Sequence, residues 1–403
     1  MKLKTKEMRV DLFEKCRQFM PRVAEHQEKG LYPYFIPLES ESGPDVVIGG
    51  RRVLMLGSNN YLGLTQHPAV KAAAKNAIDR YGSGCTGSRL LNGTLALHEE
   101  LERRLAEFMH KEAALVFTTG YQANLGAISA LADRHDTIVI DRSDHASIID
   151  GCRLSSAHVL KYRHNDMGHL ETILRSLDGK GGVFIVADGV FSMDGDLADL
   201  PVMVRLKKKY GARLLIDDAH GLGALGECGR GTVEVFGLGD DVDIIVGTFS
   251  KSLASIGGVV AGEAVQIEYI KHNARSMLFS ASLPPASVAA AMAALDIVEK
   301  EPERRVRLWQ NVKMMREGLE SLGFDVGKSQ SPVIPVIVGD NSRVMLFWRM
   351  LFDAGLYANC ILSPAVAPGH ELIRTSYMAT HTTEHLERAL DIFKTVGKRI
   401  GII

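Results

Sequence analysis

The chain has 403 residues, 46% hydrophobic and 24% charged, a globular composition with enough length for two hydrophobic cores. A formal net charge of −1 and a pI near 6.9 exclude the basic field of a nucleic-acid-binding protein, so no nucleic-acid partner is expected. Five scattered cysteines without CxxC spacing exclude a disulfide frame and a zinc site, so no metal is expected. No run approaches the roughly 20 uninterrupted apolar residues of a transmembrane segment. Met1 to Met20 lacks the apolar core of a signal peptide, and a cytoplasmic location is expected, with peripheral association at the inner membrane left open.

In chain order, residues 1–45 read as a helix and an extended arm, Leu31-Tyr32-Pro33-Tyr34-Phe35. Gly82–Thr94 is too glycine-rich for an ordinary element and matches neither a Walker loop nor a Rossmann fingerprint; it reads as a loop at an active site or subunit boundary, or as a simple linker. From about Ala114 to Gly262 short apolar runs alternate with helical ones. Strands are expected at Ala114–Phe117, Thr137–Ile140, His158–Tyr162, Val183–Ala187, Arg213–Ile216, Ile244–Val246 and Gly258–Ala261, with helices such as Gln122–Leu131, Leu170–Leu177 and Val202–Tyr210 between them. That alternation predicts an α/β fold whose mainly parallel sheet is covered on both faces, with the large domain over 46–285. Ligands of such sheets collect at the carboxyl ends of the strands. After Pro284-Pro285 come a long helical stretch to about Leu322, an apolar run at Val333–Val338, an amphipathic helix near Arg343–Ala354 and a strand near Leu372–Tyr377. A last helix places Leu386, Ala389, Leu390 and Phe393 on one face, completing a smaller α+β domain over 286–403.

Chemistry-bearing residues gather after the predicted strands. Lys251, in Gly247-Thr248-Phe249-Ser250-Lys251-Ser252, suits a Schiff base with an aldehyde cofactor, and Asp217-Asp218-Ala219-His220 closes a neighbouring strand. Pyridoxal 5'-phosphate (PLP) needs an amine for its aldehyde, a carboxylate for its pyridine nitrogen and donors for its phosphate. Strand alternation sends Asp217 and Asp218 to opposite sides, so only one can serve a given site; the other reads as a helix cap or a surface acid. In Thr118-Thr119-Gly120-Tyr121, free amides at a helix start can hold a phosphate, although a purely structural turn is the default for such a glycine. Thr248 and Ser250 offer hydroxyls, to a phosphate or to backbone. His145 follows the Thr137–Ile140 strand and can stack on a flat cofactor or merely cap a helix, and Ser192 is a strand-end hydroxyl without the GxSxG elbow of a hydrolase. Arg374, in an apolar strand, needs an anionic partner, either a structural acid or a substrate carboxylate.

Taken in order, Ser58–Gly63, Gly82–Thr94, Thr119–Asn124, Asp144–Ser147, Gly189–Asp196, Asp217–Gly221, Gly247–Gly258 and Leu372–Thr375 resemble the α-oxoamine synthases, PLP enzymes of the aspartate-aminotransferase fold (fold type I). The resemblance implies that Lys251 holds the cofactor and removes the substrate's α-proton, Asp217 partners the pyridinium, His220 bonds the ring hydroxyl and His145 stacks on the ring. It implies phosphate contacts from Gly120, Tyr121, Thr248 and Ser250, with Ser192 in the same site and Ser280 reaching a neighbouring subunit's phosphate. Arg374 would hold the amino-acid carboxylate, with Asn60 near it. The implied reaction is a decarboxylative Claisen condensation of an amino acid, serine favoured, with an acyl-CoA or carrier-protein thioester in a homodimer with shared active sites. Alanine- and glycine-using members are the alternatives, and Lys251 argues against a non-catalytic subunit.

Overall fold

The computed structural model describes residues 11–177, 179 and 181–403. The expected N-terminal helix appears as α1 (Glu14–Glu28), none of whose residues is buried; the first ten residues of the expected helix and arm lie outside the described residues. A hairpin of β1 (Asp45–Ile48) and β2 (Arg51–Met55) follows, then α2 (Pro68–Tyr81) and α3 (Ala96–Phe108). From β3 (Ala113–Phe117) strands and helices alternate through α4 (Gly120–Leu131), β4 (Thr137–Asp141), α5 (Ala146–Leu154), β5 (His158–Tyr162) and α6 (Met167–Ser176). The alternation continues through β6 (Val183–Asp188), α7 (Leu200–Tyr210), β7 (Arg213–Asp217), the one-turn α8 (Thr232–Val235), β8 (Ile244–Thr248) and β9 (Gly258–Gly262). Helices α9 (Ala264–Asn273), α10 (Arg275–Leu278), α11 (Pro285–Lys300) and α12 (Glu303–Leu322) come next. The chain ends through β10 (Val333–Ile337), α13 (Asn341–Asp353), β11 (Leu356–Tyr357), β12 (Asn359–Ile361), β13 (Leu372–Ser376) and α14 (Thr383–Arg399).

Strands β3 to β9 form one sheet in the order β3-β9-β8-β7-β6-β4-β5. The β8-β7-β6-β4-β5 portion is parallel, and β9 runs antiparallel to both its neighbours. Helices cover both faces, which is why the central strands are apolar throughout rather than alternating. Phe117, Ile138, Leu215 and Val246 face a core shared with Ile128 of α4, Ile148 of α5 and Ile267 of α9. Their strand neighbours Val116, Val139, Ile216 and Ile245 face a larger core shared with Leu101 of α3, Met203 of α7 and Leu295 of α11. That larger core continues into the C-terminal part, where Phe324, Phe347 and Phe393 pack ring against ring. There β10, β13 and β12 form an antiparallel sheet, and α14 buries Leu386, Ala389 and Phe393.

Two features depart from the sequence-based expectations. The long helical stretch after Pro285 is two helices, parted at Glu301-Pro302, where proline supplies no amide to continue the first. β2 pairs in parallel with β11, so residues 45–55 share a three-stranded sheet with residues 356–357 of the C-terminal part. His381 fastens the same joint: its Nδ1 accepts from the Met378 amide at 3.0 Å and its Nε2 lies 3.0 Å from the Met55 carbonyl.

Candidate active site

The carboxyl ends of β4, β6, β7 and β8 and the start of α4 surround a cavity of about 390 Å³. Gly120, Tyr121, His145, Ser192, Asp217, His220, Thr248, Ser250 and Lys251 all line it. Lys251 is three residues past β8, and burial pushes its amine down to about 8; Asp217 and Asp188 pull it up, and Arg374 pushes it further down.

Alternation along β7 separates the two aspartates as expected. Asp217 faces the cavity, where its Oδ2 accepts from Asn124 Nδ2 at 2.6 Å and its Oδ1 from the Ala219 amide at 3.0 Å. Asp218 is fully buried on the other side and accepts from the amide and hydroxyl of Thr232, holding the start of α8; burial raises its carboxyl to about 7. It therefore belongs to the helix-cap reading, inside the core and not on the surface.

At the start of α4 Thr119 caps the helix, its Oγ1 accepting from the Gln122 amide at 3.1 Å. The amides of Gly120 and Tyr121 sit in the first turn, whose N–H groups have no acceptor within the helix. A Cβ on Gly120 would stand 2.8 Å from Thr248, and one on Gly258 2.6 Å from Gly120, so the helix start is pressed onto the ends of β8 and β9. Thr248 Oγ1 and Ser250 Oγ lie 3.0 Å apart beside it. The Tyr121 ring is partly exposed and bonds Asp150.

His145 caps α5 through its ring, has Nδ1 2.7 Å from Ser147 Oγ, and donates its backbone N–H to Asp188 at 2.7 Å. Burial keeps its imidazole below the usual range. His220 is held further down, well below that range, chiefly by burial. Tyr61, fully buried and with its phenol pushed up to about 12, has its hydroxyl 2.6 Å from His220 Nδ1. A protonated phenol donating to Nδ1 of a neutral imidazole leaves the proton on Nε2.

Arg374 is 4% exposed on β13, outside the cavity lining but joined to it: its Nε donates to the Ser192 carbonyl at 2.5 Å. Among the described residues no carboxylate lies within ion-pair distance of it. Asn60, expected beside it, turns away: its Oδ1 accepts from the Leu64 amide at 3.0 Å and its Nδ2 donates to Thr65 Oγ1 at 2.8 Å, pinning the turn after β2. The contact comes from Asn59, whose Oδ1 is 3.2 Å from both terminal nitrogens of Arg374. Ser280 also lies outside the cavity lining, its Oγ accepting from Gln122 Nε2 at 3.1 Å.

Four residues at the site went unassigned at the sequence level: Asn59, Tyr61, Asn124 and Asp188. Asn124 stands one turn after Gly120, on the helical face that looks into the cavity, a spacing legible once the helix start was placed. Asp188 ends an apolar strand just as Asp217 does, and the two are direct partners across β6 and β7.

A family model for aminotransferase class I and II matches residues 51–393. The chain is 50% identical over 380 residues to a serine palmitoyltransferase of Sphingobacterium spiritivorum, covering 94% of this chain and 95% of that protein. It is 46% identical over 383 residues to an 8-amino-7-oxononanoate synthase of Thermoanaerobacter pseudethanolicus, covering 95% and 97%. Among solved structures, Sphingomonas wittichii serine palmitoyltransferase superposes with a TM-score of 0.95 at 41% identity, covering 98% of this chain and all of that one. SPT with its PLP internal aldimine gives 0.95 at 38% identity, with the same coverage. With the fold, the strand-end cavity and relatives of this closeness in agreement, the chain belongs to the aminotransferase class I and II family, in its α-oxoamine synthase branch.

Proposed function

We propose that this chain is a PLP-dependent serine palmitoyltransferase, condensing L-serine with palmitoyl-CoA to give 3-oxosphinganine, CoA and CO2. The observation that carries the reading is Arg374, a buried cation whose partners among the described residues are all neutral, set beside a cavity that holds a lowered lysine. A charge taken out of water needs a counter-charge, and a substrate carboxylate supplies it.

The donor set fits the cofactor. The glycine cradle at Gly120 leaves no room for a side chain where the helix amides and the Thr248 and Ser250 hydroxyls converge, which suits a phosphate. Asp217 would partner the pyridine nitrogen, His220 Nε2–H would donate to the ring hydroxyl, and His145 would lie on the ring face, with Ser192 at the rim. Bound PLP supplies an electron sink for negative charge at the amino acid's α-carbon. Asn124 holds Asp217 in place, Lys251 Nζ takes up the α-proton, and Arg374 orients the carboxylate that is later lost as CO2. Ser280 would reach across to a second subunit. A homodimer is supported by the exposed Leu90, Leu91 and Phe279, whose segments are joined where Ser282 N–H meets the Gly87 carbonyl. The two-domain division is proposed with residues 45–55 counted in the smaller part.

The 46% identity to an 8-amino-7-oxononanoate synthase supports a second reading, L-alanine with a pimeloyl thioester. Incubating the PLP-loaded enzyme with serine, alanine or glycine, each against a panel of acyl-CoA lengths, and weighing the products separates the two. A long-chain aminoketone from serine is expected, and a product from alanine and pimeloyl-CoA alone would replace the first reading with the second. Lys251→Ala is expected to abolish turnover and the cofactor's lysine-linked absorbance together.

A further inference from the structure

Two separate anchors hold His145 beside the cavity. Its ring is held at Nδ1 by Ser147 Oγ, which itself accepts from Asn124 Nδ2 at 2.9 Å. Its main chain is held by a cross-brace of carboxylates. The parallel ladder between β4 and β6 ends at Ile140 and Val186. Two residues further along β6, Asp188 accepts the His145 N–H through Oδ2 at 2.7 Å and donates its own N–H to Asp144 Oδ1 at 2.9 Å. Asp144 and His145 are consecutive, so the side chain of one residue bonds the main chain of the other segment in both directions, and the bonds close a ring. The remaining oxygen of Asp144, Oδ2, accepts the Asp141 N–H at 2.8 Å, tying the ring to the last residue of β4. Asp141 is a fixed anchor: it is fully buried, and its own carboxylate takes the N–H groups of Ser143 at 2.8 Å and Asn165 at 2.7 Å.

Asp144 does not line the cavity. It and Asp188 are each 5% exposed, and among the described residues neither forms an ion pair. Burial, and then Asp188, raises the Asp144 carboxyl well above its ordinary range; burial, and then Asp217, does the same to Asp188. Two N–H donors favour the ionised form of Asp144, whereas Asp188 accepts one and stands beside Asp217, so a proton shared by the pair rests on Asp188. A carboxylate offers two acceptor oxygens and no donor, which is what the two N–H groups facing Asp144 require. Asp144→Asn keeps the shape but leaves one oxygen for both and turns an NH2 group toward the other, so one of the two strand ends must shift.

We propose, resting on the reading that His145 lies on the ring face of bound PLP, that Asp144 is a positioning residue for His145. It holds the end of β6 against the loop before α5, and through Asp188 it fixes the main chain from which the imidazole projects.

The test is a double-mutant cycle of PLP-loaded parent, Asp144→Asn, His145→Ala and the double variant. Each is read by the visible circular dichroism of the bound cofactor and by kcat and KM with L-serine and palmitoyl-CoA. Asp144→Asn is expected to weaken the dichroism and to lower kcat about tenfold, the size of one buried hydrogen bond to a charged group. The KM for L-serine should stay within about twofold, since ground-state binding is not what is lost. In the His145→Ala background the same substitution is expected to change neither readout. An effect that persists there would make Asp144 part of the general architecture and overturn the proposal, as would Asp144→Asn with the parent's dichroism and kcat. Should Asp144→Asn fail to fold or load, Asp144→Ser, which keeps one acceptor and brings no NH2 group, enters the same cycle under the same criteria. Parent-like dichroism and kcat in His145→Ala would sink the stacking reading and the proposal with it, whereas an altered His145→Ala beside a parent-like Asp144→Asn sinks the proposal alone. A parent enzyme that leaves L-serine unconverted fails the substrate reading, and the dichroism cycle still decides Asp144.

Discussion

Burial lowers the Lys251 amine to about 8, and each neighbour's effect follows from its charge: Asp217 and Asp188 favour the ammonium, Arg374 opposes it. The neutral amine is the nucleophile, so the rate at which PLP attaches to cofactor-free protein should rise with pH to a midpoint near 8, far below that of an exposed lysine. Asp217→Asn removes a charge that holds the proton on, so its midpoint should fall; stopped-flow absorbance across pH reads both, and an unmoved midpoint would separate Asp217 from the lysine electrostatically. At this scale the sequence was legible where a residue's meaning is local. Lys251, Asp217 and His220 each follow a strand within a short motif, and period-two alternation separated Asp217 from Asp218. Asn59 and Asn60 were not separable, because the turn that carries them has no period to say which side chain faces Arg374. Asp188 and Tyr61 gain their roles from partners 29 and 159 positions away, Asp217 across the sheet and His220 across the core.

Among the elements, α4 is the one whose placement the site depends on. Its first residue touches Thr248 so closely that even a methyl group has to push the helix start away from β8. Gly120→Ala is therefore expected to cost about 1–3 kcal/mol in stability, as overpacked substitutions do. It should also weaken PLP binding more than that loss explains, because the amides move with the helix; thermal melts with and without PLP give the two effects separately. On the far side of the molecule, Phe393→Ala removes a fully buried ring from the Phe324–Phe347–Phe393 cluster and should cost about 3–5 kcal/mol in urea unfolding, with PLP affinity unchanged. Most elements were legible because short apolar runs alternate with helical ones along the chain. The direction of β9 was not, since an all-apolar strand reads the same either way round. Nor was β11, a two-residue strand too short to carry a pattern.

Across the whole molecule, His381 makes the joint between β2 and the C-terminal part sensitive to acid. An Nδ1 that accepts from Met378 and an Nε2 that donates to Met55 require a neutral ring, and burial holds its pKa at about 4 against 6.5 when unfolded. Above pH 6.5 both states are neutral and the joint contributes fully; as pH falls toward 4 the unfolded chain takes the proton first and stability drains away. This one group accounts for a loss of about 3 kcal/mol, measurable as the difference in pH dependence of urea unfolding between the parent and His381→Gln. A pH profile identical in the two proteins would show that the ring is already free in the folded state.

The pairing of β2 with β11 joins segments about 300 residues apart in the chain, so the smaller sheet is discontinuous in synthesis. During translation its first two strands are made early and must wait, unpaired along one edge, while the seven-stranded sheet is built between them. The cofactor cleft can be shaped before the Arg374 side of the site exists at all, because β13 is among the last elements to emerge. All the residues that line the strand-end cavity therefore leave the ribosome before Arg374 does.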